Sequence, residues 1–197
     1  MKTRHTARAV TRVLAIGSLI EQKGHLVLLR SCERLVRAGV DFECHIIGEG
    51  PLRGRLEREI AARRLERHVG LRGSLPHDLT MAELEQADIF ALPCIDMRGR
   101  GEHVDGIPIV LMEAMAVGLP VVSTRLSGIP ELIESGIAGV LVAPEDHDAI
   151  AAALEQLVAS PALRESFGRA ARARVIERFD LARNTAALAR LMRTAAG

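Results

Sequence analysis

The chain has 197 residues, 48% of them apolar and 26% charged, the composition of a globular protein long enough for one domain with a full core. A net charge of +1 gives no basic footprint for nucleic acid or an anionic membrane, and four Phe with no Tyr or Trp leave little for base stacking or an aromatic sugar platform. Cys32, Cys44 and Cys94 form neither a disulfide framework nor a zinc spacing, so a reducing, cytoplasmic setting fits best. The basic N-terminus lacks the apolar stretch of a secretory signal, and no apolar run reaches membrane-spanning length.

In chain order, residues 1–12 read as a polar linker or tail, and 13–197 as the domain. "RVLAIG" is a short buried strand closed by Gly17. "HLVLLRSCERLVRAG" has helical spacing at Leu26, Leu29, Leu35 and Val36 and stops at Gly39. "DFECHIIG" is a second strand, and "PLRGRLEREIAARRL" a helix with Pro51 suited to its first position. A third strand near "HVGLRG", a helix around Leu79–Gln86 and the strand "DIFALP" follow. Residues 95–106 form a polar, glycine-containing loop before "DGIPIVLMEAMAVGLPVV", which reads as a helix running into the strand "PVVST". A turn at "LSGIP", a short helix "ELIES", the strand "GVLVA" and three helices (146–159, 161–178 and 180–194) complete the chain.

Alternating helices and continuously apolar strands predict an α/β fold with a doubly wound parallel sheet covered on both faces. Ligands of such folds sit beyond the carboxyl ends of the strands. That rule puts Gly17–Gly24, Gly48–Pro51, Pro93–Pro108 and Thr124–Pro130 on one rim.

Glu113 stands out because its helical neighbours Ile109, Val110, Ala116 and Val117 are all apolar. A helix apolar all round is normally buried, and a buried carboxylate needs a partner. A vicinal diol is one such partner, offering two hydroxyl donors to two carboxylate oxygens; an arginine or a backbone group is the other reading. Asp105 precedes the helix by a short Gly106-Ile107-Pro108 link and is either a helix cap or a holder of sugar hydroxyls. Pro108 suits the first helical position, which leaves the first amides facing the loop for an anion, and Gly106 allows its close approach. Lys23, in "GSLIEQKG", is either a surface lysine in a turn or a point charge for a diphosphate; the order of Lys and Gly is not that of a P-loop. "GEGPLRG" is one residue too long for a dinucleotide fingerprint and reads as a strand-to-helix turn. His103 is a bland loop histidine or a substrate contact, and the seven histidines show no metal spacing.

Taken in order, "GSLIEQKG", "HIIGEGPLRGRLE", "DGIPIVLMEAMAVGLPVV", "SGIPELIESGIAGVLV" and "RARVIERFD" resemble the C-terminal half of retaining GT-B glycosyltransferases of family 4, the group 1 glycosyl transferases, over nearly the whole chain from Val13. The resemblance implies a Rossmann-like nucleotide-sugar-binding domain, one half of a GT-B fold. Glu113 would hold the donor ribose and Asp105 the transferred sugar. Gly106, Ile107 and Pro108 would offer backbone to sugar and diphosphate. Lys23, with Gly17 and Ser18, would neutralise the diphosphate, and backbone at Gly73–Leu75 would meet the base. Asp105, Glu113 and Lys23 are the expected catalytic set, with no metal or other cofactor. Asp105 stands where the family usually has Glu, one methylene longer, which would alter the sugar contact; Ser18 stands where the family commonly has Arg, so either Lys23 acts with fewer partners or Arg98, Arg100 or Arg125 substitutes.

The family's N-terminal acceptor domain has no counterpart in this sequence. The expectation is a cytoplasmic protein, peripheral to a membrane when complete. It would bind a nucleoside-diphosphate sugar and reach transfer only with an N-terminal partner domain; an exposed former domain interface would favour self-association. The alternative is a degenerate, non-catalytic nucleotide-sugar-binding or interaction module. A nucleic-acid partner is not expected.

Overall fold

The computed structural model describes residues 10–97 and 106–195. Its strands are β1 (Thr11–Ile16), β2 (Phe42–Ile47), β3 (Val69–Gly73), β4 (Ile89–Leu92), β5 (Val121–Thr124) and β6 (Gly139–Val142). All pair in parallel, in the order β3-β2-β1-β4-β5-β6. The connecting helices are α1 (His25–Arg37), α2 (Arg53–Ala62), α3 (His77–Gln86), α4 (Ile109–Ala116) and α5 (Ile129–Leu132). After β6 come α6 (His147–Ala159), α7 (Pro161–Arg178) and α8 (Leu181–Ala195). This is the doubly wound parallel sheet that the sequence predicts.

Successive strand residues point to opposite faces, so each strand feeds two cores. Val13, Ala15, Ile89, Ala91 and Val122 pack with α1 and α6 on one side. Leu14, Phe90, Leu92 and Val121 pack with α4 and its neighbours on the other. Both faces are covered, which is why the strands read as unbroken apolar runs rather than as alternation. The strand order reverses between β1 and β4, which pair through Val13↔Ile89 and Leu14↔Phe90. The carboxyl ends of these two strands, with the loops that leave them, are therefore the switch point at which doubly wound folds bind ligands.

Two glycines let those loops close on one another. Gly24 has φ +69°, and a Cβ there would lie 1.8 Å from the Pro93 carbonyl oxygen at the end of β4. A Cβ on Gly48 would lie 2.0 Å from the Gly17 carbonyl oxygen. No side-chain-bearing residue fits either place without moving backbone.

Some boundaries differ from the sequence expectation. The strand β1 begins at Thr11. Pro51 lies in a turn before α2, not at its first position, because the Leu52 N–H donates to the Leu19 carbonyl of the β1 loop (3.0 Å) and the helix starts at Arg53. The short helix near 130 spans Ile129–Leu132, earlier than "ELIES" suggested. Pro130 occupies its first turn, where a missing N–H costs nothing. Ser135 is instead drawn into the approach to β6, its hydroxyl accepting from Leu141 N–H at 3.0 Å. The Arg174 guanidinium from α7 donates to the carbonyls of Leu132 (2.6 Å) and Glu131 (2.8 Å), holding the end of α5 in place.

Candidate functional site

The loop after β1 is pinned on both flanks. Gly17 N–H donates to the Ile47 carbonyl (3.0 Å), Leu19 N–H to the Glu49 carbonyl (2.9 Å), and Ile95 N–H to the Gln22 carbonyl (3.0 Å). Lys23 closes a short 3-10 turn, Glu21–Lys23, and folds its stem back over Gly17; its Cγ and Cδ lie 3.4 and 3.5 Å from where a Gly17 Cβ would be. Gly17, exposed Ser18 and Lys23 are therefore brought together at the carboxyl end of β1.

Beneath this loop sits His25, the first residue of α1, only 1% exposed. Burial pulls its pKa down to about 4 against the backbone hydrogen bonds that raise it, so the ring is neutral at ordinary pH. Its Nε2 lies 3.2 Å from the Ser18 carbonyl and donates to it, while Nδ1 has no partner among the described residues. Sequence reading treated His25 only as one of seven histidines. The usable signal was its place at the first helical position directly after the loop.

Helix α4 follows the loop after β4. Pro108 is its N-cap rather than its first helical residue, and its carbonyl accepts from Leu111 N–H at 3.0 Å. Leu111, Ala114 and Met115 are buried, but Ile109 is 69% exposed and Ala116 is exposed. The expectation of a helix buried all round is thus corrected: among the described residues α4 packs chiefly on β4, β5 and α7, and Ile109 and Ala116 are left exposed. Glu113 shares the open face with Ile109 and Ala116 and is partly exposed. Among the described residues nothing hydrogen-bonds or ion-pairs with its carboxylate, so the arginine-or-backbone reading finds no partner there.

A Cβ at Gly106 would meet nothing within 4 Å, so the space beside that backbone is open. The Ile107 side chain packs against Gly128, 2.8 Å from where a Cβ would stand, and so joins the approach to α4 to the loop after β5. Arg125 is exposed at the end of β5, its N–H bonded to the Val142 carbonyl at 2.8 Å. Asp105, Arg98, Arg100 and His103 lie outside the described residues.

At the far end of the rim, Gly73 accepts from Gly48 N–H at 2.8 Å. Leu75 is half-buried, and its carbonyl accepts from the Thr80 hydroxyl at 3.3 Å. The Glu49 carboxylate stands over Gly73, with Oε1 3.2 Å from the Cβ position there, and is bonded to Arg53 at 2.6 Å. The sequence reads as a plain strand-to-helix turn at Glu49, while the family resemblance gives the Gly73–Leu75 backbone to the base. No group of three metal-ligating side chains occurs among the described residues, and no described helix is long and apolar enough to cross a membrane.

A doubly wound parallel sheet, with a pinned glycine–lysine loop after β1 and an open carboxylate on the helix after β4, defines an α/β domain of the Rossmann-like kind. The sequence profile described as "Glycosyl transferases group 1" matches residues 8–174, and the chain belongs to that family. It is 41% identical to the amylovoran biosynthesis glycosyltransferase AmsK of Erwinia amylovora, over 91% of this chain and 44% of that protein. It is 34% identical to the GDP-mannose-dependent alpha-(1-6)-phosphatidylinositol monomannoside mannosyltransferase of Mycolicibacterium smegmatis, over 91% of this chain and 47% of that one. A mutant of S. aureus TarM, solved in complex with Fondaparinux, alpha-GlcNAc-glycerol and UDP, superposes with a TM-score of 0.78 at 25% identity, covering 89% of this chain and 35% of that one. The chain therefore spans less than half the length of these relatives.

Proposed function

We propose that the chain is the nucleotide-sugar-binding domain of a retaining glycosyltransferase that moves a hexosyl unit from a nucleoside-diphosphate sugar to an acceptor hydroxyl. The observation that carries this reading is Glu113: a carboxylate on the open face of α4, the helix after β4, with no partner among the described residues. A ribose diol supplies the two donors it lacks. The diphosphate lies along Gly17, Ser18 and Lys23, with the Gly106–Pro108 backbone beside it and the base toward Gly73–Leu75. Asp105 holds the transferred sugar.

As the anomeric carbon–oxygen bond breaks, the negative charge grows on the leaving diphosphate. Lys23 and the loop amides stabilise it there, which lowers the barrier without a metal ion. The acceptor hydroxyl attacks the anomeric carbon on the face the diphosphate leaves, and configuration is kept. The acceptor is held by a further domain, N-terminal in the family, at the cytoplasmic side of a membrane. This chain alone binds donor and transfers little.

Calorimetric titration with UDP, GDP, ADP and their sugar conjugates tests the reading. Binding of at least one of them, weakened about tenfold or more by Glu113→Ala, is the expected result. Absence of binding to all of them, or binding indifferent to Glu113→Ala, overturns it.

A further inference from the structure

We infer that His25 is the positioning residue of the loop after β1: from beneath, it grips the Ser18 carbonyl, and so sets the Ser18 N–H outward as a donor to the diphosphate. The inference rests on the donor reading above and adds to it the group that shapes the phosphate contact. The backbone on either side of Ser18 is claimed within the fold. Gly17 N–H goes to the Ile47 carbonyl (3.0 Å), Leu19 N–H to the Glu49 carbonyl (2.9 Å) and Ile20 N–H to the Ser18 carbonyl (2.9 Å). Between them, the Ser18 N–H has no acceptor among the described residues.

The direction of that N–H follows from its own peptide. The Gly17 carbonyl oxygen faces Gly48, 2.0 Å from where a Cβ there would stand. The Gly17–Ser18 bond is trans, and a planar trans peptide sets its N–H opposite its C=O. The Ser18 N–H is therefore turned away from Gly48, on an exposed residue, next to the Lys23 stem that folds over Gly17. An outward amide beside a lysine, at the switch point of a doubly wound sheet, is a place for an anion.

The next peptide holds this one in place. Its N–H end is fixed at Glu49, and its carbonyl end, Ser18, takes the Ile20 N–H and the His25 Nε2–H, the latter at 3.2 Å. His25 is the first residue of α1, so the grip ties the loop to the helix that packs on the sheet. An aliphatic side chain would fill this buried position without placing a polar ring in the core. What the imidazole adds is the bond to Ser18. The ring is neutral, and donation from Nε2 leaves Nδ1 as the unprotonated nitrogen, so the buried atom without a partner is a lone pair and not a stranded proton. His25 thus supplies geometry to the loop, and Lys23 supplies the charge.

The test is calorimetric titration of the full chain, His25→Leu and His25→Gln with UDP, GDP and ADP, with the matching nucleosides and with inorganic pyrophosphate; thermal melts report folding. Whichever nucleoside diphosphate the parent binds should bind His25→Leu about tenfold more weakly, as should pyrophosphate, while the nucleoside stays within about twofold. Gln keeps a donor for the Ser18 carbonyl, so His25→Gln should return to within about threefold of the parent. In the parent alone, saturating pyrophosphate should move the Ser18 amide proton further downfield than the Gly17, Leu19 and Ile20 amides, a readout that needs no variant to fold. Undiminished diphosphate affinity in folded His25→Leu, or a Ser18 amide that does not move, overturns the inference and leaves the donor reading standing. Equal weakening of nucleoside and diphosphate, or no recovery in His25→Gln, assigns His25 to the fold alone and also overturns it. A parent that binds none of UDP, GDP and ADP removes the donor reading, and the inference falls with it.

Discussion

His25 makes the stability of this domain depend on pH in a calculable window. The ring is 1% exposed and its pKa is lowered from 6.5 to about 4, chiefly by burial. In the unfolded chain the imidazole takes a proton as pH falls through about 6.5; in the folded chain it resists until near 4. Throughout that window the unfolded state binds more protons, so the free energy of unfolding falls with falling pH. Each pKa unit is worth about 1.4 kcal/mol, so the full window contributes about 3 kcal/mol, and roughly 2.5 kcal/mol is lost between pH 7 and pH 4.5. The assay is urea unfolding by circular dichroism at both pH values, on the parent and on His25→Gln. Gln retains a donor for the Ser18 carbonyl but does not titrate. Carboxylates and the other histidines affect both proteins alike, so the difference in slope isolates His25. The parent should lose about 2.5 kcal/mol more than the variant over this range. Equal losses would refute the reasoning, for they would mean that the ring is hydrated or already paired at Nδ1.

Glu113→Ala should lower donor affinity about tenfold to a hundredfold, the value of hydrogen bonds to a charged group, while moving the thermal midpoint little because the side chain is partly exposed. Lys23→Ala should weaken nucleoside diphosphates far more than the free nucleosides, and calorimetry at low and high salt should show the parent's advantage shrinking as ionic strength rises. Gly24→Ala should destabilise the fold by about 2–4 kcal/mol in urea, since its Cβ meets the Pro93 carbonyl at 1.8 Å and the residue must keep φ +69°.

The six strands were legible because both faces of the sheet are covered. Runs such as Ile89–Leu92 are buried at every position, so they stand out as apolar blocks between helical patterns. Their order was not legible from any strand alone; it follows from the crossover rule and the pinned loops. Helix starts were misread at Pro51 and Pro108 for one reason. Proline is compatible with the first turn, but whether it enters the helix depends on which N–H groups the neighbouring loops have claimed. Leu52 N–H goes to Leu19, and Leu111 N–H goes to the Pro108 carbonyl itself.

The site shows the same division between local and long-range information. Glu113 was found because a single acid interrupts an apolar stretch, yet the conclusion that its helix is buried all round was wrong. Hydrophobicity records what a residue can tolerate, not how many neighbours the topology supplies. Among the described residues the eight-residue helix is seated on β4 and β5 and packed by α7, and Ile109 is left 69% exposed. That openness strengthens the ligand argument rather than weakening it: a partly exposed carboxylate does not need an internal partner, so it remains available to a diol. Lys23 and Gly17 were legible as a pair because they stand six positions apart in one turn, whereas Glu49 and Gly73 are 24 positions apart in sequence and meet only because β2 and β3 are adjacent and parallel. Their juxtaposition is a property of the sheet order, and no local pattern could have announced it.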